Sequence, residues 1–286
     1  MSSPVRVPPN TESTVGLHFR SKLGSGGTVV GGAIAMAIVF SIGAAAHNGT
    51  LMLGGPVAVA IAVVAICWFR AQSQAEDEFF NLWARSHGMT HSSKWSLNEF
   101  TPLLGGGDRR HCEHWMQTTR GERGIGWYTF EVKHENGDKP DTYEAHNFTL
   151  ATTDMGEHGM YRFQGIYLRR RRGILDRLDT DANWLGKHRL KKVELESTAF
   201  CDTYELWADQ GQDDIVLRQL FAPTFVVWLT EHPLKPGFEL RAGQLVVFVP
   251  GHCGEAGKLE FLLMASAEIS RRIQAELTEA AQAGSL

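Results

Sequence analysis

The stretches HCEHWMQTT (111–119), GWYTFEVKH (126–134), YEAHNFTLATT (143–153) and GMYRFQGIYLRR (159–170) follow one another with short breaks between them. They are rich in Trp, Tyr, Phe, Thr and Val, whose branched or aromatic side chains suit a pleated, half-buried surface. Asn136-Gly137-Asp138 separates the second stretch from the third, and such residues accept the backbone angles of a tight hairpin. The pattern predicts an antiparallel β meander.

Toward the C-terminus the period alternates between strand and helix. Residues 174–184 are ambiguous, with Leu175, Leu178 and Leu185 on one helical face, and strand candidates follow at 189–196 and 203–208. Asp213 and Asp214 stand where a helix start favours acidic residues, ahead of a helix over 215–221. Pro223 divides it from a second helix at 224–229, because proline suits a first turn and disrupts an interior. A last hairpin pairs 238–241 with 245–250 around Ala242-Gly243-Gln244. The final helix, 258–277, places Leu259, Leu262, Leu263, Ile269, Ile273 and Leu277 on one stripe. Strands followed by helices, without βαβ alternation, predict an α+β domain spanning 89–280.

Toward the N-terminus, 91–107 carries loop or short-helix signals and ends in Gly105-Gly106-Gly107. Before it, 70–88 reads as a helical extension with Phe79, Leu82, Trp83 and Ser86 at three- and four-residue spacing and Gly88 as its terminator. Two charge-free apolar runs precede that, VVGGAIAMAIVFSIGAAA (29–46) and LMLGGPVAVAIAVVAICWF (51–69). Each is about long enough for a helix to cross a hydrocarbon core of roughly 30 Å, and the four residues between them allow only a tight turn. A transmembrane hairpin is expected. Arg6, Arg20, Lys22 and Arg70 flank the runs while the turn has no Lys or Arg, which places both termini on the cytoplasmic side of an inner membrane. A secretory signal fits less well, since the apolar region is long and a second one follows at once. Small residues, including Gly31, Gly32, Gly54 and Gly55, allow close helix packing and also suit homo-oligomerisation. Residues 1–27, rich in Ser, Pro, Gly and Thr, read as a disordered cytoplasmic tail.

The four cysteines, Cys67, Cys112, Cys201 and Cys253, show no paired spacing, so no disulfide framework is indicated. The formal charge of −4 is unevenly placed: 161–192 holds ten Lys and Arg against three Asp, or +7, leaving −11 for the remainder. Within that stretch Arg169, Arg170, Arg171, Arg172, Lys191 and Lys192 form a candidate surface for anionic lipid or a protein partner. A plain solvated charge run is the simpler alternative. The acidic remainder and the lack of interleaved aromatic residues argue against nucleic acid.

Phe163-x-Gly165-Ile166-Tyr167, Lys192-Val193-Glu194-Leu195-Glu196 with Phe200, and Tyr204-Glu205-Leu206-Trp207-Ala208-Asp209-Gln210 form a recognisable series. Arg218, Leu220, Pro223, Trp228-Leu229 and Gly243 before Leu245-Val246-Val247-Phe248-Val249 extend it. Over 163–250 the chain resembles the bacterial membrane-protein family called domain of unknown function 3137. The resemblance implies two spans ahead of a cytoplasmic domain and carries over no activity and no catalytic residue. The arginine run at 169–172 and the acidic 209–214 segment depart from what every member would show.

For chemistry, His111, Cys112 and His114, with His252 and Cys253 far down the chain, offer ligand types that suit zinc. Their spacing argues against a site, because neighbours on a strand point to opposite faces. No cofactor is indicated. Asp209, Asp213 and Asp214 could hold a cation, but a turn and a helix start account for them. No Gly-x-Ser-x-Gly elbow is present. The expected function is a non-enzymatic binding or scaffolding module at the inner membrane face. The alternatives are a membrane-tethered enzyme, such as a metal-dependent hydrolase, and an anionic-lipid-binding envelope protein.

Overall fold

The computed structural model describes residues 7–12, 15, 49–135, 140–156, 163–171 and 190–283, with the side chains of 49–60 and 280–283 outside the description. The expected first span (29–46), the turn at 136–138, the ambiguous segment 174–184 and Arg172 all lie outside it.

The chain divides into two compact units, Met1–Ser86 with Gly254–Ala256, and His87–Cys253 with Gly257–Leu286. In the first, helix α1 (Gly49–Ser86) runs unbroken from the second apolar run through the expected helical extension. Gly88, at φ +67°, lies just beyond its end, as a glycine terminator does. The buried face of α1 carries Ala71, Ala75, Phe79, Phe80, Trp83 and Ala84, whereas Ser86 is exposed. Three residues of the N-terminal segment pair with 254–256. Asn10 bridges to Glu255, Thr11 N–H donates to the Gly254 carbonyl at 2.9 Å, and Ala256 N–H donates to Pro9 O at 3.0 Å. Part of the tail is thus fixed by backbone pairing, which composition does not reveal.

The second unit is built on one nine-stranded, wholly antiparallel sheet. Its strands are β1 (Met89–Trp95), β2 (Arg109–Thr118), β3 (Arg123–His134), β4 (Thr142–Asp154), β5 (Ile166–Arg170), β6 (Leu190–Val193), β7 (Tyr204–Asp209), β8 (Gly237–Arg241) and β9 (Gln244–Pro250), in the order β1-β2-β3-β4-β9-β8-β5-β7-β6. The helices are α2 (Thr198–Thr203), α3 (Asp214–Leu220), α4 (Pro223–Glu231) and α5 (Ala256–Ala283). The α+β class agrees with the sequence, and the expected meander holds through β2, β3 and β4; its fourth strand does not continue it, because β9 lies beside β4 and β5 lies between β8 and β7. Strand β1 also departs from expectation: 91–107 carries loop or short-helix signals, yet His91, Ser92, Lys94 and Trp95 pair with β2 in a register that runs from Met89↔Thr118 to Trp95↔Cys112. An edge strand meets water along one side, so it tolerates the polar residues that disguise it.

Several local expectations hold. Asp213 caps α3, its Oδ1 accepting Ile215 N–H at 2.7 Å. Pro223 stands at the first turn of α4. The β8–β9 hairpin turns on Ala242 and Gly243, at φ +49° and +74°, the double positive φ of the turn that matches strand twist.

One face of the sheet packs against helices. Phe238 lies 6.1 Å from Phe221 and 6.4 Å from Phe225, Tyr204 Oη donates to the Leu229 carbonyl at 3.1 Å, and Thr153 meets Ser266 of α5 at 3.2 Å. The opposite face, over β2, β3, β4 and β9, carries a cluster of Cys112, Trp115, Tyr128, Phe130, Phe148, Leu150, Val246 and Phe248 covered by Leu103 and Leu104. Trp115 lies over Gly124 and Gly126, where its ring and backbone fill the space a Cβ would need.

Candidate functional site

A β-bulge in β2 between Glu113 and Met116 inserts one residue against β3, and His114 takes φ +47° there. The insertion sets His114 against Trp127, ring edge to ring face, with centroids 5.0 Å apart and planes at 88°. Trp127 also stacks against His252, at 4.6 Å and 4°, and its indole N–H donates to the Cys253 carbonyl at 2.9 Å. His252 Nε2 is 3.1 Å from Thr129 Oγ1, which donates to Asn147 Oδ1 at 2.9 Å. Cys253 N–H donates to Thr149 Oγ1 at 2.8 Å. These contacts hold the chain after β9 onto the β3–β4 surface.

On the other side of His114 lies His91 of β1. His91 Nε2 and His114 Nδ1 are 3.4 Å apart and the two rings are within 8° of parallel. The row therefore runs His91, His114, Trp127, His252, with His114 buried. Sequence reasoning does not single out His91, because 91–107 carries loop or short-helix signals; alternation after Gly88 is the available signal.

The candidate zinc ligands do not converge on one point. Cys112 points into the apolar cluster on the opposite face, and burial first, then Glu113, raises its thiol to about 12. It is held as a thiol, not as a metal-binding thiolate. His111 is exposed on β2, and Cys253 is engaged through its backbone. Of the expected ligands, only His114 faces another donor across a strand pair.

The basic candidates are dispersed in a different way. Arg169 is buried, its Nη2 donating to Glu239 Oε1 at 2.8 Å, so it is withdrawn from any contact surface. Lys191 Nζ donates to the Gln212 carbonyl and to Asp214 Oδ1, both at 2.6 Å. Lys192 pairs with Glu205 at 2.8 Å and lies over the Trp207 ring. Arg171 donates to the Cys201 carbonyl at 2.9 Å, and Arg170 is half-buried. Of the acidic trio, Asp209 accepts the Tyr167 hydroxyl at 3.0 Å, Asp213 caps α3 and Asp214 holds Lys191. Each carboxylate has a structural task, which leaves no convergent cation site among them.

His146, His232 and His252 are each held below the usual imidazole range, in every case first by burial. Glu144 partly opposes the shift at His146, and Glu113 does so at His252. Their neutral forms are favoured by the fold, so the unfolded chain takes up protons first as pH falls through about 6.5. Stability is therefore full above that pH and declines as pH drops toward the folded-state values. The melting temperature is expected to be lower at pH 5.5 than at pH 7.5, with the difference reduced in a His146→Gln, His232→Gln variant. Equal melting temperatures at the two pH values would contradict this.

No family model, curated protein or solved structure matches the chain.

Proposed function

We propose that this is an integral membrane protein with spans at 29–46 and 51–69 and both termini on the cytoplasmic side of an inner membrane. Its sheet unit acts as a non-enzymatic module that binds or scaffolds another membrane or cytoplasmic protein. Membrane anchoring is carried by one observation: Ile61, Val64, Ile66, Trp68 and Phe69 of α1 are all exposed, at 47–69 %. Apolar area left in water costs about 25 cal/mol per Å², whereas hydrocarbon imposes no such cost. Trp68 and Phe69 beside Arg70 also suit the headgroup level. Among the described residues no helix is long and apolar enough to cross a membrane. The apolar run, however, begins in 49–60, whose side chains lie outside that description.

The binding role does not rest on the charged groups singled out in the sequence. Arg169, Lys191, Lys192, Asp209, Asp213 and Asp214 are committed to internal pairs and caps, not gathered around a common point. The resemblance to the two-span family rests on the residues quoted for it and implies the same layout.

Two experiments test the parts separately. Membranes from cells making the full-length protein are washed with alkaline carbonate and then urea; retention in the pellet is expected, and release by carbonate would end the anchoring proposal. Crosslinking in native membranes, with a chain lacking 80–286 as control, is expected to capture a partner only with the full-length protein. No partner above background would remove the scaffold role.

A further inference from the structure

The facing nitrogens of His91 and His114 are 3.4 Å apart, a long hydrogen-bond contact beside the about 2.7–3.2 Å usual for N–H···O. The separation has another meaning. Two nitrogens bound to one tetrahedral ion at 2.0–2.1 Å stand about 3.3–3.4 Å apart, the edge of the coordination tetrahedron. His91 Nε2 and His114 Nδ1 are already at that spacing.

The surroundings favour a ligand role for this pair. His114 adopts a positive φ that costs a residue with a Cβ on the order of 1 kcal/mol, so the bulge holds its ring at a definite place against local preference. Trp127, itself pinned by the Cys253 carbonyl and stacked on His252, braces that ring edge to face. His91 is half-buried on an edge strand, which gives an ion a route from solvent. One ligand is thus fixed and the other reachable, on two strands that pair only through β-ladder hydrogen bonds and side-chain contacts.

We propose that His91 Nε2 and His114 Nδ1 chelate a divalent transition-metal ion of the zinc class across the β1–β2 pair. Imidazole is a good ligand for zinc, copper and nickel. Both facing nitrogens must be unprotonated, which puts the ring protons on His91 Nδ1 and His114 Nε2 and makes binding weaken in acid. The remaining coordination positions are taken by water or further oxygen and nitrogen donors. Because the ion binds the folded arrangement and joins an edge strand to its neighbour, it stabilises the sheet by mass action. The site does not depend on membrane anchoring or on a scaffold role.

The test is a zinc titration of the full-length, detergent-solubilised protein in competition with a chromophoric chelator, with melting temperature followed alongside. One equivalent of zinc is expected to bind and to raise the melting temperature. His91→Gln, at a half-buried position on the edge strand, is expected to keep the fold, checked by an unchanged melting temperature without zinc, and to weaken binding by about tenfold or more. His111→Gln, which removes an exposed imidazole from the same strand as His114, is expected to bind as the parent does. Absence of stoichiometric zinc in the parent protein, unchanged affinity in His91→Gln, or an equal loss in His111→Gln would each overturn the assignment.

Discussion

Replacing Glu239 by alanine is expected to lower stability by about 3–5 kcal/mol, a large part of what a domain of this size possesses. Glu239 is fully buried and both its oxygens are engaged: Oε1 accepts Arg169 Nη2 at 2.8 Å and Oε2 accepts the backbone N–H of Leu103 at 2.8 Å. The substitution leaves a guanidinium in the interior without its carboxylate and an amide without its acceptor. It also releases the 103–104 segment, which is otherwise held by Tyr128 Oη donating to the Leu104 carbonyl at 2.8 Å and by packing on the apolar cluster. Thermal unfolding of the full-length protein in detergent, followed by tryptophan fluorescence, measures the loss. Joint replacement, Arg169→Met with Glu239→Leu, is expected to recover most of it, because no charge then remains stranded. A residual deficit of about 1–3 kcal/mol is expected from the Leu103 amide. A Glu239→Ala protein within 1 kcal/mol of the parent would contradict this account.

Gly124→Ala is expected to destabilise by about 1–3 kcal/mol or more. A Cβ there would overlap Trp115 Cζ2 and sit 2.6 Å from Cε2. The indole cannot swing clear at low cost: Trp115 is buried within the apolar cluster, and its Nε1 is 3.3 Å from Gln117 Oε1. Either the ring or the β2–β3 pairing must move. A double-mutant cycle with Trp115→Leu identifies the cause. If the clash with the ring is responsible, Gly124→Ala costs much less in the Trp115→Leu background than in the parent. Equal cost in both backgrounds would place the effect in glycine's backbone and not in the close approach.

How far the fold could be read from residues differs by element. Strands β2, β3 and β4 announce themselves through aromatic and β-branched residues, and α3 and α4 through Asp213 and Pro223. Strand β1 carries Thr, His, Ser, Ser and Lys, a composition that suits a water-facing edge as well as a loop. Missing it meant missing His91, and with it the one imidazole that His114 faces among the described residues. The bulge had the same effect: simple alternation put His111 and His114 on opposite faces, whereas the inserted residue brings His114 against Trp127 and His91.

The basic run shows why charge counts mislead when strand parity is unknown. Arg169 alternates with Leu168 and Arg170 along β5, and its parity turns it toward the face where Glu239 lies, 70 residues away in the chain. Lys192 similarly meets Glu205 because β6 pairs with β7, and Lys191 reaches Asp214 at the start of α3.

By itself the sequence determined the α+β class, the β2–β3–β4 part of the meander, the caps, the last hairpin and the long uncharged apolar runs, because each depends on residues within one turn or one strand of each other. Only the tertiary structure decided that β4 pairs with β9 to make a single sheet, that Arg169 is an interior ion-pair partner, and that His91 meets His114. Those outcomes depend on register and strand order, where one inserted residue or one crossover changes which side chains share a face, and local periodicity carries no record of a partner so far along the chain.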